Sequence, residues 1–155
     1  MLLGLHTYSL HLHGMGQNWG GFKLQWEPVW DIFGLMDEAG KLGLDGLHLT
    51  AADLGVTGRD HLRDVRRAAE ERGLFLEYNF SLDASEYDDR LTHTMEEGIA
   101  IAESIGSDIG KISIEVEFDP GADGREEARR REYQAVVDSI RFTREELGVG
   151  QESRR

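Results

Sequence analysis

The sequence has no cysteine among its 155 residues. Disulfides, thiolate zinc sites and cysteine nucleophiles are therefore excluded. Proline is nearly absent, with two residues, which argues against a Pro-rich linker or a disordered chain. No apolar run approaches the roughly 18 residues of a membrane span. No basic segment precedes an apolar one at the start, so no signal peptide is expected. A cytoplasmic protein with no membrane partner is the default expectation. Basic charge is also scarce: 17 Lys and Arg face 30 Asp and Glu, a net charge of −13. Such a surface repels phosphate backbones, so nucleic acid is not an expected partner. The densest basic run, Arg129 to Arg131, sits among Glu126, Glu127 and Glu132 and reads as a solvated helix face of mixed charge.

Hydrophobic residues make up 39% of the chain, and the length fits one domain with a sizeable core. A four-fold pattern organises it. A helical stretch ends in Gly, and a strand-like run follows. The glycines are Gly43, Gly73, Gly106 and Gly148, suited to the left-handed position just past a helix end. Helical spacing precedes each of them. The stripes are Ile32, Leu35, Met36, Ala39 and Leu42; then Leu62, Val65 and Ala69; then Leu91, Met95, Ile99, Ala102 and Ile105; then Tyr133, Val136, Val137, Ile140 and Leu147. Asp31 is the expected N-cap of the first helix, with Trp30 packing on Leu35. The last helix is expected to begin near Gly124.

Strands are expected near 2–8, 46–49, 74–78 and 110–114, apolar on both faces as in a parallel sheet. The alternation βαβαβαβα without hairpin signals predicts a parallel α/β protein. A doubly wound open sheet and part of a (β/α)8 barrel both fit it. The glycine-rich stretch from Gly14 to Gly21 is the one candidate for a nucleotide loop, but no helical pattern starts directly after it.

The phrases LGLHTYSL, DIFGLMDEAGKLGLDGLHLT and LRDVRRAAEERGLFLEYNFSL resemble the first three βα units of the xylose isomerase-like TIM barrels. That superfamily includes sugar phosphate isomerases and epimerases and the type IV apurinic endonucleases. IAIAESIGSDIGKISI resembles its third helix and fourth strand, and the helix ending at Leu147 and Gly148 its fourth helix. The resemblance implies a parallel (β/α)4 half of a TIM barrel, four strands alternating with four helices. Residues 1–155 would form a single partial domain, ending before the expected fifth strand.

It also implies a sugar or sugar-phosphate substrate and proton abstraction next to a carbonyl. A divalent metal (Mn, Mg, Co or Zn) would steady the enediolate. In the family that metal is held by Glu, Asp, His and Glu from later strands. No position here matches them, and Glu152 lies where the pattern breaks. No metal is therefore expected on this chain alone, which is expected to be inactive. The apurinic endonuclease branch would need a basic groove, which the charge opposes. A non-catalytic half-barrel assembly module is the remaining alternative.

Active sites of such barrels lie at the C-terminal strand ends. His6 and Tyr8 fall near the end of the first strand, His48 near the second, Asn79 at the third and Glu115 at the fourth. The resemblance makes these five candidate substrate-binding residues. His6 and Asn79 match the family best, whereas an acidic residue is frequent there at the place of His48. For His6 and His48 the competing reading is a hydrogen-bonded core histidine. His11 and His13 read as a pocket-rim loop or, in an extended strand, as an H-x-H metal chelate. Trp19, Trp26 and Trp30 are expected to pack the first loop on the barrel top or to stack on a sugar. His61 and His93 are expected to face solvent. Asp88-Asp89 and Glu96-Glu97 are adjacent in sequence and so are not acid/base pairs.

A half barrel would leave its inner face and its first and fourth strand edges exposed. Self-association, a complementary half-barrel chain, or the last helix lying across the open face is expected to cover them, unless the chain is a truncated reading of a longer gene, poorly soluble on its own.

Overall fold

The computed structural model describes residues 2–16, 26–79, 95–107, 112–114 and 124–145. Its elements are β1 (Leu3–His6), a 3-10 segment (Thr7–His13), α1 (Ile32–Lys41), β2 (Gly46–Thr50) and α2 (Ala51–Leu54). α3 (Arg59–Arg72), β3 (Phe75–Asn79), α4 (Met95–Ile105), β4 (Ile112–Ile114) and α5 (Arg125–Glu145) follow. The protein is thus mixed α/β with a parallel sheet.

The punctuation works as the sequence suggests. Gly43, Gly73 and Gly106 have φ of +68°, +66° and +69°, values that cost an L side chain steric energy. Asp31 caps α1 by accepting the Gly34 N–H at 2.8 Å. Leu147 and Gly148 lie outside the described residues.

β1–β3 form the body of the sheet, and the short β4 flanks β1, giving the order β3-β2-β1-β4. A barrel would set β4 beside β3, so the order departs from the half-barrel expectation. Leu3, Gly4 and Leu5 pair with Ile112, Ser113 and Ile114, so β4 takes the hydrogen-bonding edge of β1 opposite β2. β1 is interior rather than an open edge.

The register fixes the two faces. Gly4, Gly46 and Phe75 stand in line; so do Leu5, Leu47 and Leu76, and then His6, His48 and Glu77. Alternation therefore puts Leu3, Leu5, Leu47, Leu49 and Leu76 on one face. These five share a core with Leu35 and Met36 of α1, Val65 of α3, Ile101 of α4 and Val136 and Ile140 of α5. Each such burial contributes about 1.5–3 kcal/mol. α5 lies beside α1, where Arg144 donates to the carbonyls of Leu42 and Gly43. It joins the common core rather than crossing the sheet.

The opposite face carries the glycines, Phe75, His6, His48 and Glu77. The expectation that the strands are apolar on both faces is therefore corrected: one face is apolar and the other largely polar. Phe75 lies over Gly46, where an added Cβ would sit 2.4–2.5 Å from its ring atoms. Asp45 squares the opposite end of the strands. Its carboxylate accepts the Leu3 N–H at 2.7 Å, and its own N–H and carbonyl bond Leu3 and Phe75 at 2.8 Å.

Two helical stripes also differ. α4 buries Ile101 and Ile105 and leaves Ile99 47% exposed, because apolar residues in MEEGIAIAESI mark two overlapping faces. α5 buries Ala128, Glu132, Val136 and Ile140, a strict four-residue ladder that includes a carboxylate.

Candidate functional site

β1 stops at His6, two residues short of the expectation, because His6 caps the 3-10 segment: its Nδ1 accepts the Tyr8 N–H at 3.2 Å. Its ring lies 4.2 Å from that of His48, edge to face. His48 Nδ1 is 3.9 Å from a carboxylate oxygen of Glu77. Three neighbouring strands therefore carry an in-register row, His6–His48–Glu77. Thr50 and Asn79 pair two residues further along β2 and β3, on the same side by strand alternation.

The row is electrostatically uneven. Burial, and then the neighbouring His48, lower the pKa of His6 to about 4. At neutral pH His6 is an uncharged imidazole. Since Nδ1 accepts a hydrogen bond, the proton sits on Nε2, and that nitrogen is a donor.

The rim of the site is held by Asp53 at the end of α2. Its carboxylate accepts from Thr7 Oγ1 (2.6 Å), the Gly16 N–H (2.7 Å), the Thr50 N–H (2.8 Å) and Thr50 Oγ1 (2.9 Å). It joins the residue after His6, the end of β2 and the turn after the 3-10 segment. Burial pushes the Asp53 carboxyl up, against the pull of these donors. Gly16 has φ +61°, and a Cβ there would meet the Tyr8 backbone.

The 3-10 segment is also gripped from α5. The fully buried Glu132 accepts the Leu12 N–H at 2.8 Å and faces Nδ1 of His13 at 2.5 Å and of His11 at 3.1 Å. Arg129 donates to the Leu12 carbonyl at 2.7 Å and contacts that of Glu27 at 3.3 Å. His13 stacks on Trp30 at 5.2 Å, and Tyr133 donates to Glu38. The mixed-charge reading of Arg129 and Glu132 as a solvated face is corrected: both are structural anchors.

His11 and His13 are likewise neither a free rim nor an H-x-H chelate, because both turn Nδ1 toward Glu132. No group of three or more His, Asp or Glu among the described residues is arranged to hold a metal ion, so the divalent cation implied by the resemblance has no fitting donor set here.

The structure brings His6, Tyr8, His48 and Asn79 to one end of the sheet. Tyr8 arrives differently from expectation: it leaves the strand, edges the His6 ring at 6.5 Å and stacks on His11 at 5.1 Å. Glu115, His93, Trp19 and Asp88-Asp89 lie outside the described residues. Trp26 packs under Arg125, whose guanidinium is 4.4 Å from the ring. His61 is half-buried rather than solvent-facing; its Nε2 is 3.0 Å from the Leu54 carbonyl. Glu96 and Glu97 are exposed.

Three residues escaped the sequence reading: Glu77, Asp53 and Glu132. Signals for two of them were present. Thr50 and Asp53 form a T-x-x-D cap, and Glu132 sits on the 128–132–136–140 ladder. Glu77 shows only as an acid inside the apolar run FLEYN. No helix of the described residues is long and apolar enough to cross a membrane. In comparison with known proteins, the chain matches no family model and no curated protein.

Proposed function

We propose that the His6–His48–Glu77 row binds a polyhydroxylated carbonyl compound, a sugar or sugar phosphate, in a protein of the isomerase and epimerase kind that the sequence resembles. The observation that carries this reading is the row: three polar side chains in register on adjacent strands, opposite a face of leucines joined by Tyr78. A sheet whose helices share one core on one side, with polar strand ends on the other, supports a site at those ends.

The chemistry follows from the tautomers. Neutral His6, with its proton on Nε2, is suited to polarise a carbonyl or bind a hydroxyl as an uncharged imidazole electrophile. His48 beside Glu77 forms an imidazole–carboxylate couple able to take and return a proton next to that carbonyl. Asn79 adds an amide at the rim, while the buried Thr50 hydroxyl is committed to Asp53. A divalent cation, where such enzymes hold one, stabilises an enediolate. The described residues offer no donor set that fits it. A second copy of the chain or a complementary chain is expected against the polar face, with no nucleic-acid partner.

The test is a titration of the intact chain with aldoses, ketoses and their phosphates, followed through the imidazole resonances of His6 and His48. Saturable shifts, weakened tenfold or more by His48→Asn or Glu77→Gln, are expected. Unmoved imidazoles up to about 100 mM, far above the millimolar range of weak binding, would refute the assignment.

A further inference from the structure

Leu12 is held from both sides by one helix. Its N–H goes to Glu132 and its carbonyl to Arg129, two side chains three residues apart on α5. The histidines on either side of Leu12 face the same Glu132 carboxylate. A helix thus supplies the partners that a neighbouring strand would give an irregular segment. The segment so gripped begins at His6, its N-cap, whose Nδ1 is occupied by the Tyr8 N–H. Tyr8 in turn stacks on His11, one of the two rings turned to Glu132. An unbroken run of contacts therefore links Glu132, through His11 and Tyr8, to His6.

We infer that Glu132 is a positioning residue for the His6–His48–Glu77 row, acting from α5 through the 3-10 segment to keep His6 buried, fixed in rotation and committed to one tautomer. The inference builds on the reading of that row as the functional site. A buried carboxylate bonded to the Leu12 N–H and to His13, with His11 Nδ1 at 3.1 Å, is costly to disturb, which makes Glu132 a firm anchor. Arg129 adds the second hold, with its guanidinium 5.7 Å from the Trp26 ring.

His6 itself reports the outcome. Its low midpoint depends on burial and on the nearby His48, so a loosened segment admits water and raises it. The groups around it are His48, Glu77 across the row, and Tyr8 of its own segment.

The experiment follows the His6 imidazole by nitrogen-detected NMR against pH in the full chain, with far-UV circular dichroism to verify the fold. In the parent protein the midpoint is expected at about 4. Glu132→Ala is expected to raise it by about one pH unit or more toward 6.5. Glu132→Gln and Arg129→Met are expected to raise it by less. A folded Glu132→Ala protein with an unmoved midpoint overturns the inference. If Glu132→Ala does not fold, unmoved midpoints in both Glu132→Gln and Arg129→Met overturn it equally. No sugar enters this experiment, so failure of sugar binding and failure of the positioning role are read separately.

Discussion

The rings of His6 and His48 meet at 4.2 Å across two parallel strands, and one of the two is far less able than a free imidazole to accept a proton. The lowered His6 midpoint has a defined consequence for stability. Unfolded His6 takes up a proton below about pH 6.5, whereas folded His6 resists protonation down to about 4. Its contribution is therefore complete above pH 6.5 and is lost as pH falls toward 4. Thermal melts between pH 7 and 4 should show a steeper fall for the parent than for His6→Asn. Equal slopes would mean that His6 is not held neutral.

Asp53 gathers four hydrogen bonds from Thr7, Gly16 and Thr50. Asp53→Ala leaves those buried donors without an acceptor and should cost about 3 kcal/mol or more. Asp53→Asn keeps one acceptor oxygen and should cost roughly half as much. Urea denaturation measures both, and an alanine variant as stable as the parent would show that the donors find other partners.

Gly46 is fixed by Phe75 rather than by its dihedral angles. Gly46→Ala drives a methyl into the Phe75 ring and should destabilise by about 1–3 kcal/mol. Adding Phe75→Leu should recover part of that loss, giving a coupling of roughly 0.5 kcal/mol or more in a double-mutant cycle. Strict additivity would place Phe75 elsewhere.

The Tyr133 phenol is pushed up to about 12, first by burial and then by its bond to Glu38 and that carboxylate's charge. Burial and then the charge of Asp53 push the Tyr78 phenol up as well, so ultraviolet titration should find at least two tyrosinates fewer below pH 11 in the parent than a chain of solvated tyrosines would give. Tyr133→Phe should leave the low-pH part of that curve unchanged and cost about 1 kcal/mol of stability.

Much of this was legible in the sequence, and the reasons are local. Gly43, Gly73 and Gly106 mark helix ends because a left-handed residue is a property of one position. The aliphatic stripes of α1 and α3 have the 3.6-residue period of a single buried face. His6 and Asn79 close β1 and β3, where counting along the strands puts them, whereas β2 runs on to Thr50 and leaves His48 at its middle. What stayed hidden depends on partners distant in the chain. Glu132 looked solvated because its neighbours Arg130 and Arg131 are charged, and only the ladder through Ala128 and Val136 turns it inward. Tyr8 continued the strand in a period-two reading, but the His6 cap bends the chain away. Strand order is a pairing choice between segments that no local pattern encodes, so β4 beside β1 was not foreseen.

The hold on Leu12 also has a consequence in time. Leu12 and Glu132 are 120 residues apart, so on the ribosome the 3-10 segment waits for α5. At roughly 5–20 residues per second that wait is about 6–24 s, during which the 3-10 segment can form no lasting union with α5. An obligate closure of such span predicts slow completion of this part of the native state and a nascent chain that depends on chaperone shelter until α5 emerges.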